Sequence, residues 1–174
     1  MPDLDLMSLF YKITPYIPYW KEMLPEIKVI LLGMSPVLEL RGAIPMGMFH
    51  YGLSAWQSYF LGVTGNVLVL IPVSLFLKYF VKSIMKMSKL CDRFFTHVFD
   101  KTRKKHSTKI KVYGALALVL VVAIPIPGTG GWTGALIAYV FGLPIKKSLP
   151  LVSLGVALAG LIVLTLSAGI EVLI

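Results

Sequence analysis

The chain has 174 residues, 57% of them hydrophobic, with a mean hydropathy of +0.82 and a formal net charge of +9. A water-soluble fold cannot hide that much apolar surface, so an ordinary soluble domain is excluded, and one membrane domain of four hydrophobic blocks, starting near Ile27, Ser54, Val112 and Leu149, is expected. Cys91 is the single cysteine, His50, His97 and His106 are scattered without ligand spacing, and no Ser-His-Asp grouping, P-loop or GxGxxG is present, so neither cofactor, metal nor enzyme chemistry is expected.

Residues 1–24 are rich in aromatics (Phe10, Tyr11, Tyr16, Tyr19, Trp20) and interrupted by Pro15 and Pro18. Amphipathic rings prefer the headgroup level, so this segment reads as an interfacial anchor. It has no basic start, compact apolar core or small-residue cleavage site, which argues against a removable signal peptide.

Residues 25–80 form the first unit. Ser35-Pro36-Val37-Leu38-Glu39-Leu40-Arg41-Gly42-Ala43-Ile44-Pro45 puts two charges, two prolines and a glycine into the middle of its first block. A plain spanning helix would not carry them, so the block reads as a helix, a break at membrane depth and a second helix, folded as a re-entrant hairpin. Ser54 to Leu77 then supplies an uninterrupted apolar stretch long enough to cross.

Residues 81–110 carry the charge. Of the 17 Lys and Arg residues, 11 lie between Lys78 and Lys111, opposed there only by Asp92 and Asp100. The positive-inside rule makes this segment cytoplasmic. Phe80, Ile84, Met87, Cys91, Phe94 and Val98 recur at helical spacing, while Lys82, Lys86, Lys89 and Arg93 occupy another face. That amphipathic pattern suits a helix in the interface of an anionic membrane, and nucleic acid is not an expected partner. A plain topology-setting loop is the simpler alternative.

Residues 111–174 form the second unit. Its first block is interrupted by Ile124-Pro125-Ile126-Pro127-Gly128-Thr129-Gly130-Gly131-Trp132-Thr133-Gly134, where prolines stop a helix and glycines permit a reversal. Leu149 to Ile174 is again long enough to span. A shift of ninety positions pairs Gly52-Leu53 with Gly142-Leu143, Ser58 with Ser148, and Gly65 with Gly155. If each hairpin returns to its own face and each span crosses, the fold is all-α, built from two inverted repeats, a recurring transporter plan.

Glu39 and Arg41, two residues apart, would diverge by about 200° on an intact helix and share a side only where the chain is extended, so an unwound tip at Glu39 to Gly42 is expected. Arg41 offers a planar fork for phosphate or carboxylate, and Glu39 a carboxyl for proton exchange. In the second tip Pro127, Gly128, Thr129, Gly130, Gly131, Trp132 and Thr133 leave backbone N–H groups at a helix start, which favours an anionic group. The alternatives are a buried pair that merely ties the hairpins together and glycines that serve chain reversal alone. Asn66 is expected to make an interhelical hydrogen bond.

Glu39-Leu-Arg-Gly-Ala-Ile-Pro45 followed by Pro125-Ile-Pro-Gly-Thr-Gly-Gly-Trp-Thr-Gly134 resembles the prokaryotic small multidrug export protein family, and the resemblance extends over nearly everything from Ile27 onward. That family is in turn similar to the DedA-type membrane proteins, some of which move polyprenyl-phosphate lipids; this chain has no arginine at its second tip. The resemblance implies a multi-pass protein of the prokaryotic inner membrane that transports a small or lipid-like substrate. Four helical segments cannot by themselves shield two broken tips from lipid, so a homodimer among membrane lipids is expected. A non-transporting scaffold with purely structural hairpins is the competing reading. Single cysteines placed on a Cys91-free background test the topology: those at Pro25 and Tyr51 should label from outside and those at Lys109 and Lys146 from inside, and opposite-side labelling within either hairpin would overturn it.

Overall fold

The computed structural model describes Trp20 and residues 22–113, 115–125 and 130–173, and the elements among them are helical. The interfacial reading of residues 1–19 lies outside the described residues. Helix α1 (Pro25–Met34) opens with proline at its first position, where the missing N–H costs nothing, and ends at Ser35. The reason is Pro36: a residue before proline is driven out of the helical region, and Ser35 is extended at φ −63°, ψ 134°. The Ser35 hydroxyl accepts from the N–H of Val37 at 3.3 Å and of Leu38 at 3.5 Å, restarting the chain as α2 (Glu39–Pro45), which continues through a π-helical turn, Met46–His50.

Lys28 Nζ lies over the ring of Tyr51 at 5.4 Å, and Val29, Leu32, Ala43 and Met46 bury against one another. The start of α1 therefore meets the end of the π-helical turn, and the chain has doubled back within thirty residues. The break itself lies four residues earlier than the sequence suggested. Only Ser35 to Leu38 leave the helix, and Leu40, Arg41 and Gly42 are helical, so the extended tip expected at Glu39 to Gly42 is corrected to a one-turn interruption. What remains irregular is Glu39 itself, with φ at +48°.

Helix α3 (Ala55–Tyr79) starts in a capping box: Ser54 Oγ accepts from the Gln57 N–H at 3.3 Å, and Gln57 Oε1 accepts from the Ser54 N–H at 3.1 Å. With 25 residues it is about 37 Å long, enough to cross a bilayer. Helices α4 (Val81–Met87) and α5 (Lys89–Tyr113) follow, then α6 (Ala115–Ala123), α7 (Gly131–Val140) and α8 (Ile145–Leu173). Helix α8 is the second one long and apolar enough to cross. Both long helices leave large apolar side chains uncovered on their outer faces, among them Phe60, Ile71, Leu154 and Leu166. Such faces suit lipid contact.

Elements recur at the ninety-residue interval seen in the sequence. The π-helical turn ends at 50 and α7 at 140; α3 begins at 55 and α8 at 145. From 61 to 70 and from 151 to 160 each residue is buried or exposed as its counterpart is. Gly52 and Gly142, also ninety apart, adopt φ of +66° and +70°, the left-handed turn that only glycine enters freely. Gly65 sits against the Ile30 carbonyl of α1, and Gly155 lies where an added Cβ would be 2.9 Å from the Val119 carbonyl of α6. In each unit a glycine lets the long helix approach the first hairpin limb closely. The second limbs pack between the two long helices, α2 and α7 each touching both α3 and α8. Between them lies the core, with Leu40, Ile44, Leu70, Leu118, Ile137, Val152 and Val156 essentially sealed.

The basic segment is not one helix with one stripe. Ser88 is extended and its hydroxyl accepts from the Leu90 N–H at 3.2 Å, starting α5 anew, so helical phase does not carry across it. The docked face is Val81, Met85, Phe95 and Phe99, with Phe99 and Tyr139 rings 5.5 Å apart. Of the expected stripe, Ile84 and Val98 are half-buried, Phe80, Met87 and Phe94 are exposed, and the side chain of Cys91 lies outside the described residues.

Close backbone approach at the glycines predicts unequal costs for one methyl group. Gly65→Ala and Gly155→Ala should each lose about 1–3 kcal/mol, while Gly169→Ala, where an added Cβ meets nothing, should stay within about 0.5 kcal/mol of wild type. Thermal unfolding of the detergent-solubilised protein checks this; equal effects at all three would refute the packing.

Candidate functional site

Every helix end leaves four carbonyls without intrahelical partners, and a helix that stops away from water must satisfy them by other means. At the end of α1 those groups belong to Leu31, Leu32, Gly33 and Met34. The Ser35 N–H reaches the first two at 3.2 and 3.1 Å. The third accepts from Asn66 Nδ2 at 3.0 Å and the fourth from the Trp132 indole Nε1 at 3.1 Å. So α3 and α7 both hold the end of α1, and Asn66 makes the interhelical hydrogen bond expected of it.

The complementary end is the start of α7. Gly130 occupies the N-cap and carries no side chain to cap the helix. The capping anion comes from the other hairpin: the Glu39 carboxylate accepts a hydrogen bond from the Trp132 backbone N–H and lies directly against Gly130, where any Cβ would overlap it. Charge of this sign at a helix N-terminus is stabilised by about 0.3–1 kcal/mol when exposed and up to about 2 kcal/mol in sheltered geometry. Glu39 is only 4% exposed. Its left-handed backbone costs about 1–2 kcal/mol for a residue with a side chain, comparable to what the helix end returns. Arg41, half-buried two residues further along the same helix, acts on Glu39 through its charge.

Of the residues anticipated from sequence, Glu39, Gly130 and Trp132 are thus brought together, with Arg41 acting on them. Gly131 is buried against Asn66, whose Oδ1 is sealed from solvent and has no hydrogen-bond partner. Thr133 instead lines a neighbouring groove. Pro127, Gly128 and Thr129 lie outside the described residues. The N–H groups expected to await an anion already hold one at Trp132, and it is the protein's own. Ser35 was not anticipated, although Ser-Pro is a recognisable cap and first-turn pair. The carbonyls of Gly33 and Met34 carry no sequence signal.

Beside the site, an open groove of about 600 Å³ runs between α3 and α7, lined by Val69, Pro72, Phe76, Trp132, Thr133 and Leu136 among others. It is almost wholly apolar and reaches the polar site at Trp132.

A helical chain with two helices long and apolar enough to cross a membrane, both with apolar outer faces, has the make-up of a membrane protein. The chain is a member of the small multi-drug export protein family: that family's model matches residues 39–162, beginning at Glu39 itself and taking in the whole of α3 and 18 of the 29 residues of α8. The description is that of an exporter, so transport rather than catalysis is the activity it names. No curated protein and no solved structure matches the chain.

The contact between Glu39 and Gly130 predicts non-additive substitutions. Gly130→Ala and Glu39→Ala should each destabilise, but in combination they should cost about 1–3 kcal/mol less than their sum, because each abolishes the same contact. A thermal-unfolding double-mutant cycle measures this coupling, and simple additivity would show that the two groups do not depend on each other.

Proposed function

We propose that the protein is a proton-linked transporter or lipid flippase of the prokaryotic inner membrane, working as a homodimer of two inverted repeats by alternating access, with Glu39, Arg41 and the α7 N-terminus as its substrate and proton site. The observation that carries this reading is the docking of the Glu39 carboxylate on the Trp132 N–H across the two hairpins. A helix N-terminus binds an anion without regard to its source. A proton on Glu39 removes the charge the helix end holds, and an anionic group of a substrate can then take its place. Occupancy of one position by carboxylate, or by substrate once the carboxyl is neutral, is the exchange a coupled carrier requires.

Other features support the details. Doubled-back chains with their breaks at the tips fit re-entrant hairpins, and the matching helix limits ninety residues apart, with both second limbs lodged between the two long helices, fit an inverted repeat. The apolar groove ending at Trp132 suits the hydrocarbon part of an amphipathic substrate, and the Arg41 fork suits a phosphate or carboxylate head, as the resemblance to DedA-type proteins also implies. Pro36 and Val37 are exposed at the first tip, where a second copy would shield them from lipid.

One observation favours the scaffold reading: the carbonyls at the end of α1 are already satisfied within the chain, as a purely structural interlock needs. Proteoliposomes with an imposed pH gradient separate the two, using a fluorescent phosphate-bearing lipid and a panel of amphipathic drugs as reporters. Glu39→Gln keeps an acceptor for Trp132 and should accumulate normally while losing the pH-driven component. Arg41→Lys should lower turnover of an anionic reporter about tenfold or more with little loss of folded protein, because the charge stays and the fork is lost. Full activity across pH in both variants would remove these residues from the transport site.

A further inference from the structure

A second cavity, of about 730 Å³, lies away from the hairpin tips, where the C-terminal part of α3, helix α5, the end of α7 and the start of α8 come together. Its walls include the rings of Phe99 and Tyr139 and the buried residues Ser74 and Ser148. At its rim stand Lys78 and Lys146, both exposed. Among the described residues that line it there is no carboxylate. A chamber walled largely by apolar groups, with two serines and two lysines among its lining residues, the Lys78 ammonium resting over the neighbouring Tyr79 ring at 4.9 Å, is matched to a molecule with an anionic head and a hydrocarbon tail.

The internal repeat shows that the lysines are not demanded by the fold. Ninety positions away, the same turn is built by Gly52-Leu53 in place of Gly142-Leu143, and Ser58 is buried as Ser148 is. Yet the counterpart of Lys146 is Trp56, 59% exposed, and the counterpart of Lys78 is Ala168. The positions equivalent to the two lysines therefore carry an aromatic ring and a methyl group in the other unit. Basic residues that merely set topology would not need to converge on a cavity from two helices sixty-eight positions apart in sequence.

We infer that the cavity lined by Ser74, Lys78, Phe99, Tyr139, Lys146 and Ser148 binds the phosphate headgroup of an anionic membrane phospholipid, with the two lysines holding the phosphate and the ring-lined wall taking the start of the acyl chains. The site is separate from Glu39 and Arg41 and stands or falls independently of transport through the tips. Lysine is a suitable donor here because an ammonium binds phosphate as a compact point charge without a fixed approach geometry.

Native mass spectrometry of the full-length protein, titrated with dioleoyl phosphatidylglycerol, dioleoyl phosphatidylcholine or inorganic phosphate, tests the assignment. Wild type should retain one phosphatidylglycerol per chain more tightly than phosphatidylcholine. Lys78→Gln with Lys146→Gln should weaken that retention about thirtyfold, and either change alone about fivefold. Lys78→Arg with Lys146→Arg should keep it. Lys89→Gln with Arg93→Gln removes the same charge from exposed positions on α5 that do not line the cavity, and should leave it within twofold of wild type. If the double glutamine variant does not accumulate, the single variants and the arginine pair carry the same decision. Unchanged retention in the Lys78 and Lys146 variants, equal loss in the Lys89 and Arg93 control, equal binding of the two lipids, or displacement of phosphatidylglycerol by millimolar inorganic phosphate would each overturn the inference.

Discussion

A helix end that water cannot reach leaves carbonyls that must find donors within the chain, and a buried polar group left unsatisfied costs about 1–3 kcal/mol. The rest of this structure is organised around that constraint. Helix α1 ends at Ser35 because Pro36 permits nothing else, and its last two carbonyls can be satisfied only by donors brought from elsewhere in the chain. Asn66 is placed by α3 and the Trp132 indole by α7. The same proximity carries the start of α7 to Glu39, so the negative end of one broken helix and the positive end of another are each closed by a side chain from the opposite partner.

The two units share a backbone plan but not a chemistry. Helix limits, left-handed glycines and close-approach glycines recur at ninety residues. Polar groups do not: Asn66 corresponds to the buried Val156, and Arg41 to Gly131. One hairpin supplies charge and the other supplies the absence of side chains, which lets that charge come close. Functional groups and empty space are thus divided between the two units, and the site they form is asymmetric.

Much of this was legible in the sequence, and the parts that were not have physical explanations. The long helices could be placed because apolar length and the Ser54–Gln57 capping box are local signals. The ninety-residue repeat could be seen in Gly52-Leu53 and Gly142-Leu143, although only the positive φ at both positions gives the glycines their reason. The tip was placed four residues too late because the charges of Glu39 and Arg41 drew more weight than Ser35-Pro36, which decides where a helix can end. The basic segment lost its single stripe because Ser88 resets the helical phase. Contact between Glu39 and Gly130 was beyond reach, since no periodicity links residues ninety-one apart and a glycine in a turn-rich string gives no sign that it is making room for a carboxylate.

Trp132 binds the first hairpin twice, with its backbone N–H on Glu39 and its indole on the Met34 carbonyl. Both donors belong to one residue at the start of one helix, so α7 leaves the first hairpin only when both are released. Together a charged and a neutral hydrogen bond amount to about 2–4 kcal/mol. That figure would leave the unlatched arrangement at roughly 0.1–3% of the population until something competes for either donor. A single aromatic residue therefore acts as a two-point catch: partial opening gains little, and whatever loosens one point lowers the barrier to losing the other.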